Sequence, residues 1–367
     1  MNHRAIYISA ISATCNDYSN LDGLFDALLA PPESPATSAP IAPPPWHNCA
    51  TEWASHTHRA IHQLTDGRTV LPPDCGFILG STKGDIARQL LWMHEPQPSA
   101  RPRPTLDQDA AALARHAGVG GPAYCISTAC TSGLSALIEA AELIKTLAAP
   151  ECIAMGADVI SDFVCDGFKA LRALSHSVCR PFDRHRDGLT LGSAAAATLL
   201  CTKPSPGAVL LSGWGAAGDA AHLTAPDRAG RGLTLAIERA LAMAGLRPEH
   251  IDLIFAHGTG TPFNDAMEAT AFASLFPNRP CITAIKGLTG HTLGAAGVLE
   301  TAVACRILQT GVVPPVTGLE NPDFPDLNFV VGRPQTSHPR RILKTGSGFG
   351  GLNTALILEL PPQEPYR

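Results

Sequence analysis

Apolar residues along the chain follow two rhythms. Leu134, Leu137, Ile138, Ala141 and Ile144 recur at steps of three and four, one stripe that predicts an amphipathic helix beginning just after Cys130. Leu233 to Ala244 reads as a second helix, stopped by Gly245 and then Pro248. Shorter unbroken apolar runs predict buried strands at Ala5 to Ile11, Cys75 to Gly80, Glu151 to Gly156 and Ile251 to Ala256. Ile342-Leu343, the glycine-rich Gly346 to Gly351 and Ala355 to Leu360 suggest a strand, a turn and a further strand. Proline punctuates the N-terminal part: seven fall between Pro31 and Pro45, and Pro96, Pro98, Pro102 and Pro104 crowd the stretch from Glu95 to Thr105. Because proline lacks a ladder donor and blocks helix interiors, both stretches are expected to be surface connections. Each half offers a strand-to-helix junction with a reactive residue at its tip. That hints at an internal duplication, although no repeat is visible in the residues.

Composition narrows the class. With 45% hydrophobic but only 5% aromatic residues, the chain suits buried strands packed against small-residue helices, an α/β design. Its 367 residues can bury a substantial core without disulfide support. A net charge of -5 and the lack of any Lys/Arg run argue against nucleic-acid binding, so an acidic partner would have to meet a local basic patch. The eleven cysteines form neither a CxxC pair nor a zinc-spaced cluster, and the N-terminus lacks a secretory apolar core; reduced thiols and a cytoplasmic location are expected. No apolar stretch approaches the roughly 18 residues of a membrane span.

Three segments carry candidate chemistry. Ser127-Thr-Ala-Cys130-Thr-Ser-Gly133 puts a cysteine at the first turn of the predicted helix, where unpaired N–H groups and the helix dipole favour a thiolate. The plainer reading is one buried thiol among many, since free cysteine packs like a small hydrophobe. Ala256-His257-Gly-Thr259-Gly-Thr261 follows a strand directly, and Asp265 and Glu268 come eight and eleven residues after His257. That group could equally be a satisfied turn histidine with two helix-surface carboxylates; a metal site is discounted, because HExxH spacing and a clear third ligand are missing. Lys286-Gly-Leu-Thr-Gly-His291-Thr-Leu-Gly-Ala-Ala-Gly297 adds a lysine, a second histidine and a helix of small residues able to approach another backbone closely. Neither a Gly-x-Gly-x-x-Gly dinucleotide loop nor a Walker lysine is present. A cysteine at a helix start, two histidines and a glycine-rich C-terminal loop together describe covalent acyl transfer with oxyanion stabilisation.

With Gly167-Phe-Lys-Ala-Leu-Arg-Ala-Leu-Ser175, Arg180-Pro-Phe-Asp183, Arg186-Asp-Gly188 and Gly348-Phe-Gly-Gly351, these segments resemble β-ketoacyl-acyl carrier protein synthases of the Cys-His-His type, condensing enzymes of fatty acid and type II polyketide synthesis. The resemblance implies a thiolase-like fold, two similar α/β halves (1–203 bearing the cysteine, 204–367 bearing the histidines) stacked as five αβαβα layers and paired as a homodimer or heterodimer. It implies Cys130 as the acylated nucleophile, His257 and His291 as catalytic histidines, and Lys286 paired with Glu268 to hold the histidine loop, with Asp265 in support. The backbone N–H groups of Cys130 and Phe349 would form an oxyanion hole, and Phe349, between Gly348 and Gly350, would act as a gate. Thr259 and Thr261 would line the pantetheine channel, Phe168 would lie near the acyl tunnel, and Arg172 would dock the acyl carrier protein. No cofactor of its own is implied, because the substrates carry phosphopantetheine on the carrier.

Departures from that pattern are local. The stretch from Thr82 to Ala123 is short, Lys83 stands where the family commonly has a small or apolar residue, and Ser347 replaces a frequent phenylalanine. A lysine at that site must snorkel away or meet a polar group. These features keep a rival in view, a partner subunit like a chain-length factor with little or no activity of its own. A degradative thiolase would need a second cysteine in the C-terminal loop, and initiation-type synthases resemble a Cys-His-Asn pattern where this chain has His291.

Overall fold

The computed structural model describes residues 4–30, 49–66, 71–94 and 105–361. Both proline-rich connections, 31–45 and 95–104, lie outside the described residues. The strands are β1 (Ile6–Cys15), β2 (Gly76–Gly80), β3 (Ala123–Ile126), β4 (Cys152–Asp158), β5 (Ala194–Cys201), β6 (Val209–Gly218), β7 (Leu253–Phe255), β8 (Cys281–Thr283), β9 (Val312–Val313), β10 (Asn328–Phe329), β11 (Gln335–Thr336), β12 (Arg341–Ser347) and β13 (Leu352–Glu359). The helices are α1 (Leu21–Leu29), α2 (Cys49–Thr65), α3 (Ile86–Met93), α4 (Leu106–His116), α5 (Ser132–Lys145), α6 (Asp162–Ala170), α7 (Arg231–Ala244), α8 (Pro262–Leu275), α9 (Lys286–Thr289) and α10 (Ala296–Thr310).

The duplication hinted at by the junctions is explicit in the strand pairing. β1 runs antiparallel to β5 and β5 antiparallel to β4, while β4 is parallel to β2 and β2 to β3. The strands β6, β13, β12, β7 and β8 repeat that series of pairings in the same senses. The two sets join where Ile6–Ile8 of β1 also pair with Leu211–Val209 of β6.

Period-two alternation then assigns each face of the strands to a helix layer. Ile78, Ala154, Ile342, Leu356 and Leu358 turn inward to a core shared with α5 and α10. Their strand neighbours Phe77, Leu79, Ile153 and Met155 face outward to α2, α3 and α4. On the other side, Ile254, Leu343, Ala355 and Ile357 face α7 and α8. The result is helix, sheet, helix, sheet, helix, the five-layer thiolase-like arrangement. No described helix is long and apolar enough to cross a membrane.

Local differences from the sequence reading have physical causes. β1 continues past Ile11 to Cys15, because Ser12 donates to the Ala60 carbonyl at 2.7 Å and Thr14 bonds His56 Nδ1 at 2.7 Å, so α2 satisfies its polar face. Gly346 and Ser347 belong to β12 rather than to a turn, held by pairing with Thr354 and Asn353. The helix after Cys130 starts at Ser132 with Thr131 as its cap, which leaves the cysteine just outside the helix.

Candidate active site

Cys130 sits on a tight turn between β3 and α5. Ala129 before it is in the left-handed region at φ 52°, a conformation costly for a residue with a side chain and stable only where its surroundings impose it. Here the turn is braced by local bonds: Thr128 N–H donates to Ser132 Oγ at 2.9 Å, and Thr131 Oγ1 donates to the Thr128 carbonyl at 2.7 Å. The thiol is buried, and burial pushes it up to about 11, against the opposing pull of the Lys286 ammonium and of backbone N–H groups of Phe349 and Cys130 itself. This corrects the expectation of a resting thiolate. The helix start does not outweigh desolvation of the buried thiol.

His257 follows β7, and carboxylates of α8 hold its loop. Glu268 accepts from the N–H of His257 at 2.8 Å, the N–H of Gly258 at 2.7 Å and the Thr345 hydroxyl at 3.0 Å. Asp265 accepts from the N–H groups of Thr259 at 3.0 Å, Gly260 at 3.2 Å and Phe182 at 2.8 Å, which ties the Arg180–Asp183 segment to the histidine loop. Burial is the main reason its carboxyl rises to about 6. The pairing of Lys286 with Glu268 is overturned. Lys286 forms its ion pair with Glu300 of α10 and donates to the His257 carbonyl at 2.5 Å, while Glu268 is fully engaged by backbone N–H and hydroxyl groups.

The two imidazoles meet edge to face, with ring centroids 5.2 Å apart and planes at 84°. Lys286 Nζ lies 3.4 Å from His257 Nδ1, and the Leu293 N–H donates to His291 Nδ1 at 3.3 Å. With Nδ1 accepting in both rings, the proton of each neutral imidazole is assigned to Nε2. Burial first, then the Lys286 ammonium, drives both histidines well below the usual imidazole range, so they are uncharged at neutral pH.

A cavity of about 340 Å³ joins these groups, lined among others by Cys130, His257, His291, Thr259, Phe168 and Phe349. Thr259 and Thr261 share a hydroxyl hydrogen bond at 2.8 Å, and both face the cavity. Phe168 and Phe349 stack at 5.9 Å between centroids. Arg172 is exposed at the rim, just beyond α6. Gly348 lines the wall; Gly350 does not, its N–H being turned to the Leu223 carbonyl at 2.8 Å, and Gly351 takes that place. Lys83 meets a polar group: its Nζ lies 3.1 Å from Oδ1 of the buried Asp158, whose Oδ2 accepts from Gly294 N–H at 2.7 Å.

Sequence reasoning missed Asp158, Glu300 and Lys344. Asp158 is the single charge of the buried strand β4, and that isolation was the available signal; Glu300 and Lys344 share α10 and β12 with Arg306 and Arg341, so the pattern does not mark them. Among the described residues no group of three or more His, Cys, Asp or Glu side chains is arranged to hold a metal ion.

Comparisons with known proteins agree with this architecture. Residues 56–205 match the family model for the N-terminal domain of beta-ketoacyl synthase, and residues 208–320 match its C-terminal domain. The chain is 37% identical over 255 residues to a 3-oxoacyl-[acyl-carrier-protein] synthase 2 of Coxiella burnetii, covering 65% of this chain and 62% of that protein. It is 37% identical over 272 residues to a putative polyketide beta-ketoacyl synthase 1 of Streptomyces cyaneus, covering 69% of this chain and 64% of that one. Less than two thirds of these relatives' length is thus spanned. In structure it resembles the ketosynthase ApeO in complex with its chain length factor ApeC from Xenorhabdus doucetiae, at 27% identity and a TM-score of 0.78, covering 97% of this chain and 98% of that one. The ishigamide ketosynthase/chain length factor matches at 25% identity and a TM-score of 0.82, covering 97% and 99%. Two consecutive family models, spanning 56–205 and 208–320, over a duplicated fold lead to one conclusion: the chain belongs to the beta-ketoacyl synthase family.

Proposed function

We propose that this protein is a β-ketoacyl-acyl carrier protein synthase that performs decarboxylative Claisen condensation in fatty acid or type II polyketide synthesis. The observation that carries the reading is that the Cys130 thiol opens onto the same cavity as two neutral imidazoles, each with its proton assigned to Nε2. In the first half-reaction the Cys130 sulfur attacks an acyl thioester on a carrier protein, and the thiol proton leaves with the departing pantetheine thiol. Malonyl carrier then enters, the carboxylate leaves as CO₂, and the Nε2–H groups of His257 and His291 stabilise the enolate oxygen. The enolate carbon attacks the acyl-Cys130 carbonyl, the carbon–sulfur bond breaks, and the thiolate regains a proton. The N–H groups of Cys130 and Phe349 hold the oxyanion of the tetrahedral intermediates.

In this reading Phe349 is the gate, Phe168 borders the acyl chain, Thr259 and Thr261 hold the pantetheine arm, and Arg172 receives the acidic carrier. Residues 1–203 supply the nucleophile and 204–367 the histidines. The phosphopantetheine belongs to the substrate, so no resident cofactor is invoked, and the location proposed is the cytoplasm.

A second reading is favoured by the solved neighbours that pair a ketosynthase with a chain length factor. Here the chain shapes the tunnel of an active partner in a heterodimer. A pure scaffold has no need of Cys130, His257 and His291 in one cavity, which ranks this reading second. Intact-mass spectrometry after incubation with acyl carrier protein, with and without a candidate partner, separates the two. An acyl adduct on Cys130 in the chain alone supports the synthase; no adduct under either condition sinks it.

A further inference from the structure

Strand alternation turns Ile342, Lys344 and Gly346 of β12 toward the central helices. Ile342 is ordinary core, whereas Lys344 is a lysine with no solvent exposure. Its Nζ lies 2.7 Å from Glu300 Oε2 and 3.5 Å from the Ala256 carbonyl oxygen, with the ammonium 5.1 Å from the Phe255 ring centroid. The other oxygen of Glu300, Oε1, receives Lys286, and Lys286 in turn donates to the carbonyl of His257 and approaches its Nδ1. One buried carboxylate therefore bridges two ammonium groups; Lys286 reaches His257 itself, and Lys344 reaches the carbonyl of Ala256 just before it. Lys286 sets the proton position on His257 that the proposed chemistry relies on, and that chemistry gives Lys344 no part.

We infer that Lys344 is a positioning residue: by its ion pair with Oε2 of Glu300, close in distance but outside hydrogen-bond geometry, it leaves Oε1 to orient Lys286, which fixes the His257 ring with its proton on Nε2. The functional meaning rests on the proposed condensation; the geometric content stands apart from it.

Charge makes the same arrangement sensitive to protonation. The groups around Lys344 are Lys286 of α9, Glu300 of α10, Glu268 of α8 and the two imidazoles beyond them. Two ammonium and two carboxylate groups cancel beneath the rings. Without Lys344 the balance turns negative, Glu300 loses a partner it cannot replace with water, and Lys286 is drawn off the His257 loop. Lys344 is also one of the positive charges that hold both rings below the usual imidazole range, after burial and Lys286.

The test is ¹⁵N NMR of the histidine rings in the full chain, with His257 and His291 assigned by His257→Gln and His291→Gln. In the wild type, His257 shows a single Nε2–H form from pH 6 to 9. In Lys344→Met an Nδ1–H or doubly protonated population develops, and the ring titration moves up by about one pH unit or more. If Lys344→Met does not fold, Lys344→Gln keeps a donor to Glu300 without the charge and shows the same upward movement. Unchanged ring forms and titration in the folded variant overturn the inference. Release of CO₂ from malonyl carrier is read in parallel, and a wild type that loads no acyl group and releases no CO₂ sinks the proposed condensation while the ring measurement still decides the role of Lys344.

Discussion

Gly297 faces Leu134 so closely that a Cβ on the glycine would come within 2.4 Å of the Leu134 backbone nitrogen. The reciprocal contact is as tight, since a Cβ on Gly133 would lie 2.6 Å from the Gly294 carbonyl oxygen. Main chain meets main chain where α5 and α10 begin, so no rotamer change can relieve an added methyl. Gly297→Ala is expected to lower stability by about 1–3 kcal/mol in urea unfolding. Gly218→Ala, with open space around it, is expected to stay within about 0.5 kcal/mol and serves as the control.

Cys130→Ala abolishes the acyl adduct seen by mass spectrometry. His291→Ala still loads but decarboxylates malonyl carrier about 10²–10³-fold more slowly, the usual loss for one oxyanion donor. Condensation by Cys130→Ala at the wild-type rate would mean the wrong nucleophile.

Glu268 accepts two backbone N–H groups with two oxygens. In Glu268→Gln an amide NH₂ must face one of those donors, which leaves it buried and unpaired at a cost of about 1–3 kcal/mol. The His257 loop loosens, so decarboxylation falls while acyl loading persists. Thermal unfolding and the two partial reactions measured side by side check this.

His56 on α2 is half-buried against β1, and burial, helped by the Arg59 guanidinium, holds it down to about 4. The unfolded chain then binds more protons between the usual imidazole value and that depressed one, so stability from this group is present at neutral pH and lost on acidification. The loss approaches about 3 kcal/mol by pH 4. Glu52, 3.8 Å from the ring, is raised by its own burial and does not restore the imidazolium. His56→Gln is expected to flatten the fall in unfolding free energy between pH 7 and pH 4.

What the residues disclosed in advance followed from how one-sided their surroundings are. α5 was legible because one face meets the core and the other is partly exposed, which writes a period into Leu134, Leu137 and Ala141. β5 was not, because Ala194 to Ala197 have no β preference of their own; they form a strand because β1 and β4 flank them and α2 and α10 need small side chains to pack close. Cys130, His257 and His291 could be picked out because small, flexible neighbours mark their turns. The pairing of Lys286 with Glu268 came from the family resemblance alone; its actual partner, Glu300, reaches it only through the packing of α10. Lys344 could not be read at all as a partner, since a single lysine in a strand ordinarily points to water.

The nucleophile and the second imidazole each ride on the entrance to a middle-layer helix, and those entrances abut through bare backbone. Their separation is therefore dictated from the inside of the molecule. The outer layers can lengthen, shrink or acquire new neighbours over evolutionary time without moving the reagents, so relatives can diverge in outline and clientele while keeping one gap constant.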